Sequence, residues 1–119
     1  MNDRIPQFSS PDPVHAPEAV WKLVGAINTA DTEAFVAAFS PDGVIDDWGR
    51  KLVGRQGQRS WAASDAIGAQ AQMTLLGSET SGAVTEIRFD WRSTVFTGDG
   101  HAFVTIEDGL ITQFRIPSE

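Results

Sequence analysis

The apolar positions change period part-way along the chain, and that change divides it into two kinds of structure. Up to residue 40 they recur at helical spacing. Val20, Leu23, Val24 and Ile27 form one stripe, and Phe35, Val36 and Phe39 form a second. Pro17 and Glu18 suit a helix start, with proline in the first turn and an acid near the positive end of the dipole. Asn28 to Ala30 interrupt the pattern. Asp31 has the chemistry of an N-cap for a second helix, which Pro41-Asp42-Gly43 would stop. Val44 and Ile45 open a short strand that runs into Asp46 and Asp47, and Trp48-Gly49-Arg50 turns the chain back. Arg55 to Ile67 predicts a third helix despite Gly57, with Trp61 its largest apolar residue and Gly68 its end.

From residue 69 the period becomes two. Ala71, Met73 and Leu75 alternate with Gln70, Gln72 and Thr74. After a turn at Ser81-Gly82, Thr85, Ile87, Phe89 and Trp91 alternate with Glu86, Arg88, Asp90 and Arg92. That strand has one apolar and one charged face. A third stretch from Thr94 to Ile106 is interrupted by Gly98-Asp99-Gly100, a hairpin turn or a bulge. Asp108-Gly109 is a strong hairpin signal before a last strand, Leu110 to Ile116. Helices first and antiparallel strands afterwards predict an α+β fold. Residues 1–15, with three prolines and few aliphatics, predict a flexible arm, and 16–119 a single domain.

Composition narrows the chemistry. The chain has 119 residues, 41% of them hydrophobic, a net charge of −7 and no cysteine. Thiolate metal sites and disulfides are therefore excluded. With two histidines and no ligand spacing among the carboxylates, no metal site is predicted. The acidic balance argues against nucleic acid, since the one basic cluster, Arg50, Lys51, Arg55 and Arg59, reads as a solvated turn and helix face. No apolar run approaches the ~20 residues of a membrane span, and the N-terminal residues lack the apolar core of an export signal. A cytoplasmic protein without membrane partners is expected. Four Trp and seven Phe stand beside no Tyr at all.

The segments WKLVGAINTADTEAFVAAFSPDGVIDDWGR, VGR before the third helix, and FVTIEDGLITQFRI resemble, in order and spacing, the nuclear transport factor 2-like superfamily. The likeness is to its small bacterial branch near the SnoaL-type polyketide cyclases and ketosteroid isomerase, and covers about residues 16–117. It implies a cone: three N-terminal helices packed in a strongly curved, mostly antiparallel sheet around an apolar cavity. It also implies a homodimer paired through the outer sheet face, where Glu86, Arg88, Asp90 and Arg92 would lie.

The same resemblance places the isomerase's catalytic base on Asp47 and its oxyanion-stabilising acid on His101. Neighbouring strand residues point to opposite faces, so Asp46 and Asp47 are not a paired dyad; Asp47 is expected at the cavity and Asp46 outside it. A carboxylate beside Trp48 in an apolar cavity would lose solvation and become a better proton acceptor. The alternative is a strand-end carboxylate paired with Arg50 or Lys51. His101 would donate to a carbonyl or enolate oxygen, or be a solvated side chain one residue out of register. The isomerase's tyrosine falls on Leu23, so that part of the constellation is missing. Trp48, Trp61, Phe39, Phe89, Trp91 and Phe103 would wall the cavity, with Asp65 at its mouth or paired towards Arg59. The expected ligand is a small apolar molecule. The expected chemistry is cofactor-independent acid–base isomerase, cyclase or dehydratase action on a carbonyl compound, or else plain binding or dimerisation.

Overall fold

Pro17 caps the first helix, α1 (Glu18–Asn28), which buries Ala19, Val20, Leu23, Val24, Ala26 and Ile27 on one face. The computed structural model describes residues 14–118; most of the arm expected at 1–15 therefore lies outside the described residues. Asp31 caps α2 (Thr32–Ala37), its carboxylate accepting from the Ala34 N–H at 3.0 Å. This second helix is shorter than its stripe predicts. The chain is already extended at Phe39, where β1 (Phe39–Asp47) begins. Pro41 to Gly43 form an irregularity within that strand rather than a loop before it, because the register against the last strand shifts between Phe39 and Val44.

Two side chains of the third helix, α3 (Gly54–Ser64), hold this irregular stretch. Gln58 is fully buried, and its Nε2 donates to the carbonyls of Ser40 and Gly43, each at 3.1 Å. Arg55 Nη1 donates to the carbonyls of Val36 and Phe39 at 2.7 and 3.0 Å, and to Gln58 Oε1 at 3.0 Å. Backbone carbonyls that leave the ladder at a bulge are thus satisfied by a helix. Arg55 belongs to the basic cluster read as solvated, and all four residues of that cluster are exposed as the reading expects. Arg50 and Arg59 also have internal partners, Asp47 with Asp65 for the first and Glu33 for the second.

A short strand, β2 (Arg50–Val53), links β1 to α3. A 3₁₀ turn at Ile67–Ala69 ends the helical half, before β3 (Gln72–Ser81), β4 (Val84–Arg92), β5 (Thr97–Glu107) and β6 (Leu110–Ile116). The six strands form one sheet in the order β2-β1-β6-β5-β4-β3, antiparallel except for the parallel β1–β6 pair. The sheet curls around the helices without closing. Its concave face and the helices share one core, in which Leu23, Phe35, Phe39, Ile45, Ile87 and Val104 are fully buried. Each such side chain contributes about 1.5–3 kcal/mol of burial. Among the described residues no helix is long and apolar enough to cross a membrane.

Gly98-Asp99-Gly100 is neither a turn nor a break: β5 runs straight through it, with Gly98 opposite Trp91 and Gly100 opposite Phe89. Aromatic rings take the space a side chain would need. A Cβ on Gly100 would lie 3.0 Å from the Phe89 ring, and one on Gly98 3.1 Å from the Phe96 ring.

Candidate functional site

The end of β1 projects alternate residues to the two sides of the sheet. Ile45 and Asp47 face inward, Asp46 outward. Asp46 is nevertheless buried, and its Oδ1 accepts the Gly49 N–H at 2.9 Å, closing the turn that follows. Asp47 lines a cleft of about 540 Å³. The side chain is 20% exposed, and its Oδ2 takes two hydrogen bonds: from Trp61 Nε1 at 3.0 Å and from Arg50 Nη2 at 2.9 Å. Among the described residues Oδ1 has no hydrogen-bond partner. Among these residues one carboxylate oxygen is clamped and the other is free.

Arg50 Nη2 also reaches Asp65 Oδ2, at 3.2 Å, so the guanidinium bridges the strand end and the C-cap of α3. Hydrogen bonds to Asp47 and then Asp65 hold its proton still more firmly than usual. Asp65 does line the cleft, but its cation is Arg50; Arg59 is engaged by Glu33 instead.

The turn between β1 and β2 is two residues long, with Trp48 at φ 56° and Gly49 at φ 89°. Both values belong to a type I′ turn, for which Asn-Gly and Asp-Gly are favoured. The β5–β6 hairpin has that favoured composition, Asp108-Gly109 at φ 53° and 79°. At β1–β2 a tryptophan occupies the left-handed position, where a non-glycine residue costs about 1–2 kcal/mol. Its indole is 60% exposed and lines the cleft. The strained turn sets an aromatic ring at the cleft, next in the chain to Asp47.

The inner wall is a chain of rings. Phe35 stacks on Trp61 at 6.0 Å. Trp61 meets Trp91 at 6.0 Å and Phe114 at 5.8 Å, and Trp91 meets Phe89 at 6.2 Å. Trp61, Phe89, Trp91 and Phe114 reach the cleft; Phe35 lies behind them. Val95 and Phe96, in the β4–β5 connection, are exposed at its edge.

One expected site residue stands at the border of the cleft and two are placed elsewhere. His101 borders the cleft but stands opposite Arg88 in the sheet, on the face opposite to buried Ala102 and Val104. Its ring packs edge-on against Phe103 at 5.7 Å. The residue that faces inward at this level is Gly100, so His101 meets the cleft at its border rather than from the inner wall. Phe103 shares the outer face, lying 4.7 Å beneath the Arg115 guanidinium. Phe39 is core, fully buried and 5.3 Å from Phe35. Leu23, at the position the resemblance gives to tyrosine, is also fully buried and does not line the cleft. Sequence reasoning missed Phe96, Phe114 and Asp99; two glycines spaced by two within a strand are the signal that rings pack close by.

No family model matches the chain, and neither does any curated protein. Solved structures do. A candidate polyketide cyclase from Sinorhizobium meliloti is 27% identical and superposes with a TM-score of 0.74 over 85% of this chain and 94% of that one. A protein of ketosteroid isomerase-like fold from Catenulispora acidiphila, solved with trimethylamine, is 17% identical with a TM-score of 0.76 over 88% of each chain. A Mycobacterium tuberculosis protein solved with estradiol-17β-hemisuccinate is 18% identical, with a TM-score of 0.73 over 85% of this chain and 91% of that one. An α+β fold with a curled sheet around helices and a cleft at its inner face defines the class. The chain has the fold of the nuclear transport factor 2-like superfamily, in common with polyketide cyclase- and ketosteroid isomerase-like proteins.

Proposed function

We propose that the cleft binds a small, largely apolar carbonyl compound, with the C–H groups next to its carbonyl lying towards Asp47. The observation that carries this reading is the pairing of a ring-lined cleft of about 540 Å³ with a carboxylate held by Trp61 and Arg50 and free at Oδ1. Apolar walls with a few fixed polar groups are the usual construction of small-molecule sites. The small ligands held by two solved proteins of this fold support it. Trp48, Trp61, Trp91 and Asp65 are the other contact residues. Asp47→Asn keeps the shape and removes the charge, so binding of a cyclic ketone such as 1-tetralone should stay within a few-fold of wild type. Wild-type protein that shows no binding to one- to three-ring ketones, under conditions where it is folded, overturns the proposal.

Acid–base chemistry is the second reading, favoured by the free Oδ1. With Oδ2 clamped, that oxygen is oriented to take a proton from carbon next to a carbonyl and to return it. No cofactor enters this step. The test is deuterium exchange at the α-carbon of bound 1-tetralone: acceleration by the wild type that disappears in Asp47→Asn supports it. Exchange at the solution rate with both proteins leaves a binding protein.

A second copy of the chain would meet the outer sheet face. Glu86 and Arg88 lie there with half-buried Phe103 beneath Arg115. Sedimentation at micromolar concentration distinguishes dimer from monomer.

A further inference from the structure

The three indoles of the cleft differ in what their N–H groups do. That of Trp61 is committed to Asp47, and that of Trp48 sits on an exposed ring. Trp91 is different. It projects from β4 onto the inner face and is 7% exposed, yet among the described residues its N–H meets no acceptor. Nor is that N–H sealed away, because the one buried side-chain polar atom without a partner among the described residues is Ser78 Oγ. A tryptophan this deeply placed normally gives its N–H to an acceptor. The accessible space against Trp91 is the cleft.

Charge limits what that acceptor can be. Asp47 and Asp65 line the cleft, Asp99 and His101 stand together at its β5 border, and the one guanidinium beside them, Arg50, already bridges the first two. The site therefore has a surplus of negative charge, and an anionic ligand would be repelled by it.

We propose that Trp91 donates its indole N–H to an uncharged oxygen of the ligand, so that the cleft selects neutral carbonyl compounds over hydrocarbons and over carboxylates of the same shape. This rests on the cleft being the ligand site, as proposed above. In this arrangement Trp91 supplies a donor from the inner wall, where the chain has no tyrosine. The ligand lies between a donor on β4 and the free Asp47 oxygen at the end of β1.

The test compares three probes of one shape, 2-indanone, indane and indane-2-carboxylate, by titration of wild type and Trp91→Phe. Wild type should bind 2-indanone about tenfold more tightly than indane, a ratio matching one net hydrogen bond of about 1.4 kcal/mol, and the carboxylate most weakly. Trp91→Phe should bring the ketone down to indane while leaving indane within about twofold. The bound ketone's carbonyl stretch should shift to lower frequency in wild type, and the Trp91 indole proton should move downfield with the ketone but not with indane; neither reading needs the variant to fold. Equal affinity for ketone and indane, an unshifted carbonyl, or a ketone preference that survives Trp91→Phe overturns the donor role and leaves the cleft as the ligand site. Tightest binding of the carboxylate overturns the selection for neutral ligands. Binding of none of the three to wild type overturns both the inference and the site it rests on.

Discussion

The indole N–H of Trp61 and Oδ2 of Asp47 lie 3.0 Å apart, one on a helix and the other at a strand end. This contact ties the helical half of the fold to the site carboxylate. Trp61 is itself 2% exposed and packed between Phe35 and Trp91, so the donor cannot swing away without breaking the core. A charge-assisted bond of this kind is stronger than a neutral one. Replacing Trp61 with Phe should cost about 2–3 kcal/mol, from the lost bond together with the smaller ring. Urea unfolding measures the loss. A cost below about 0.5 kcal/mol would mean that the contact does not hold Asp47 in solution.

The β1–β2 turn makes the opposite prediction. Trp48 stands at φ 56° in a turn that favours Asn-Gly, and its ring is mostly exposed. Trp48→Asn should raise stability by about 1 kcal/mol, the relief of a left-handed tryptophan. It should also weaken ligand binding. Thermal unfolding read beside a titration tests both together, and a variant that is less stable than wild type contradicts the strain.

Gln58 is a structural residue with a large expected effect. Gln58→Leu fits the space but strands the Ser40 and Gly43 carbonyls in a buried site. Unsatisfied buried groups cost about 1–3 kcal/mol each, so a loss of roughly 3 kcal/mol is expected by urea unfolding. A near-neutral change would show that the irregular part of β1 is satisfied in another way.

One ion pair sets a modest pH dependence. The Arg59 guanidinium, hydrogen-bonded to both Glu33 oxygens at 2.7 and 3.0 Å and attracting its charge, holds that carboxyl below its usual range. A folded-state value below the unfolded one stabilises above the unfolded value, and the contribution is lost as pH falls through the folded value. The stability gap between wild type and Glu33→Gln should therefore be present at pH 7 and vanish in strong acid. Both groups are exposed, so salt should shrink it as well. A gap that grows towards low pH has the wrong sign for this pair.

Much of the architecture is written in local patterns. The period-two run from Thr85 to Arg92 puts Ile87, Phe89 and Trp91 inward, and Asp31 and Asp108-Gly109 act through side-chain and backbone preferences that neighbours do not override. Asp47 and Trp48 are legible for the same reason, because they sit at a strand end beside a turn signal. What escapes a local reading is what depends on distant partners. The extension of β1 through Pro41-Asp42-Gly43 depends on Gln58 and Arg55, which lie on another element. The strand through Gly98-Asp99-Gly100 depends on rings from Phe89 and Phe96. His101 stands at the cleft border rather than on the inner wall, a distinction that a one-residue ambiguity in those glycines hides, because it inverts every side chain after it.

The cleft as a ligand site is tested most directly by the indole N–H resonances of the four tryptophans during titration with 2-indanone. Trp48, Trp61 and Trp91 line the cleft, whereas Trp21 is exposed on α1 and does not. The expected result is three signals that move together with one saturation curve while that of Trp21 stays. If no indole signal moves, or if Trp21 moves as far as the other three, the molecule is not binding where Asp47 waits for it.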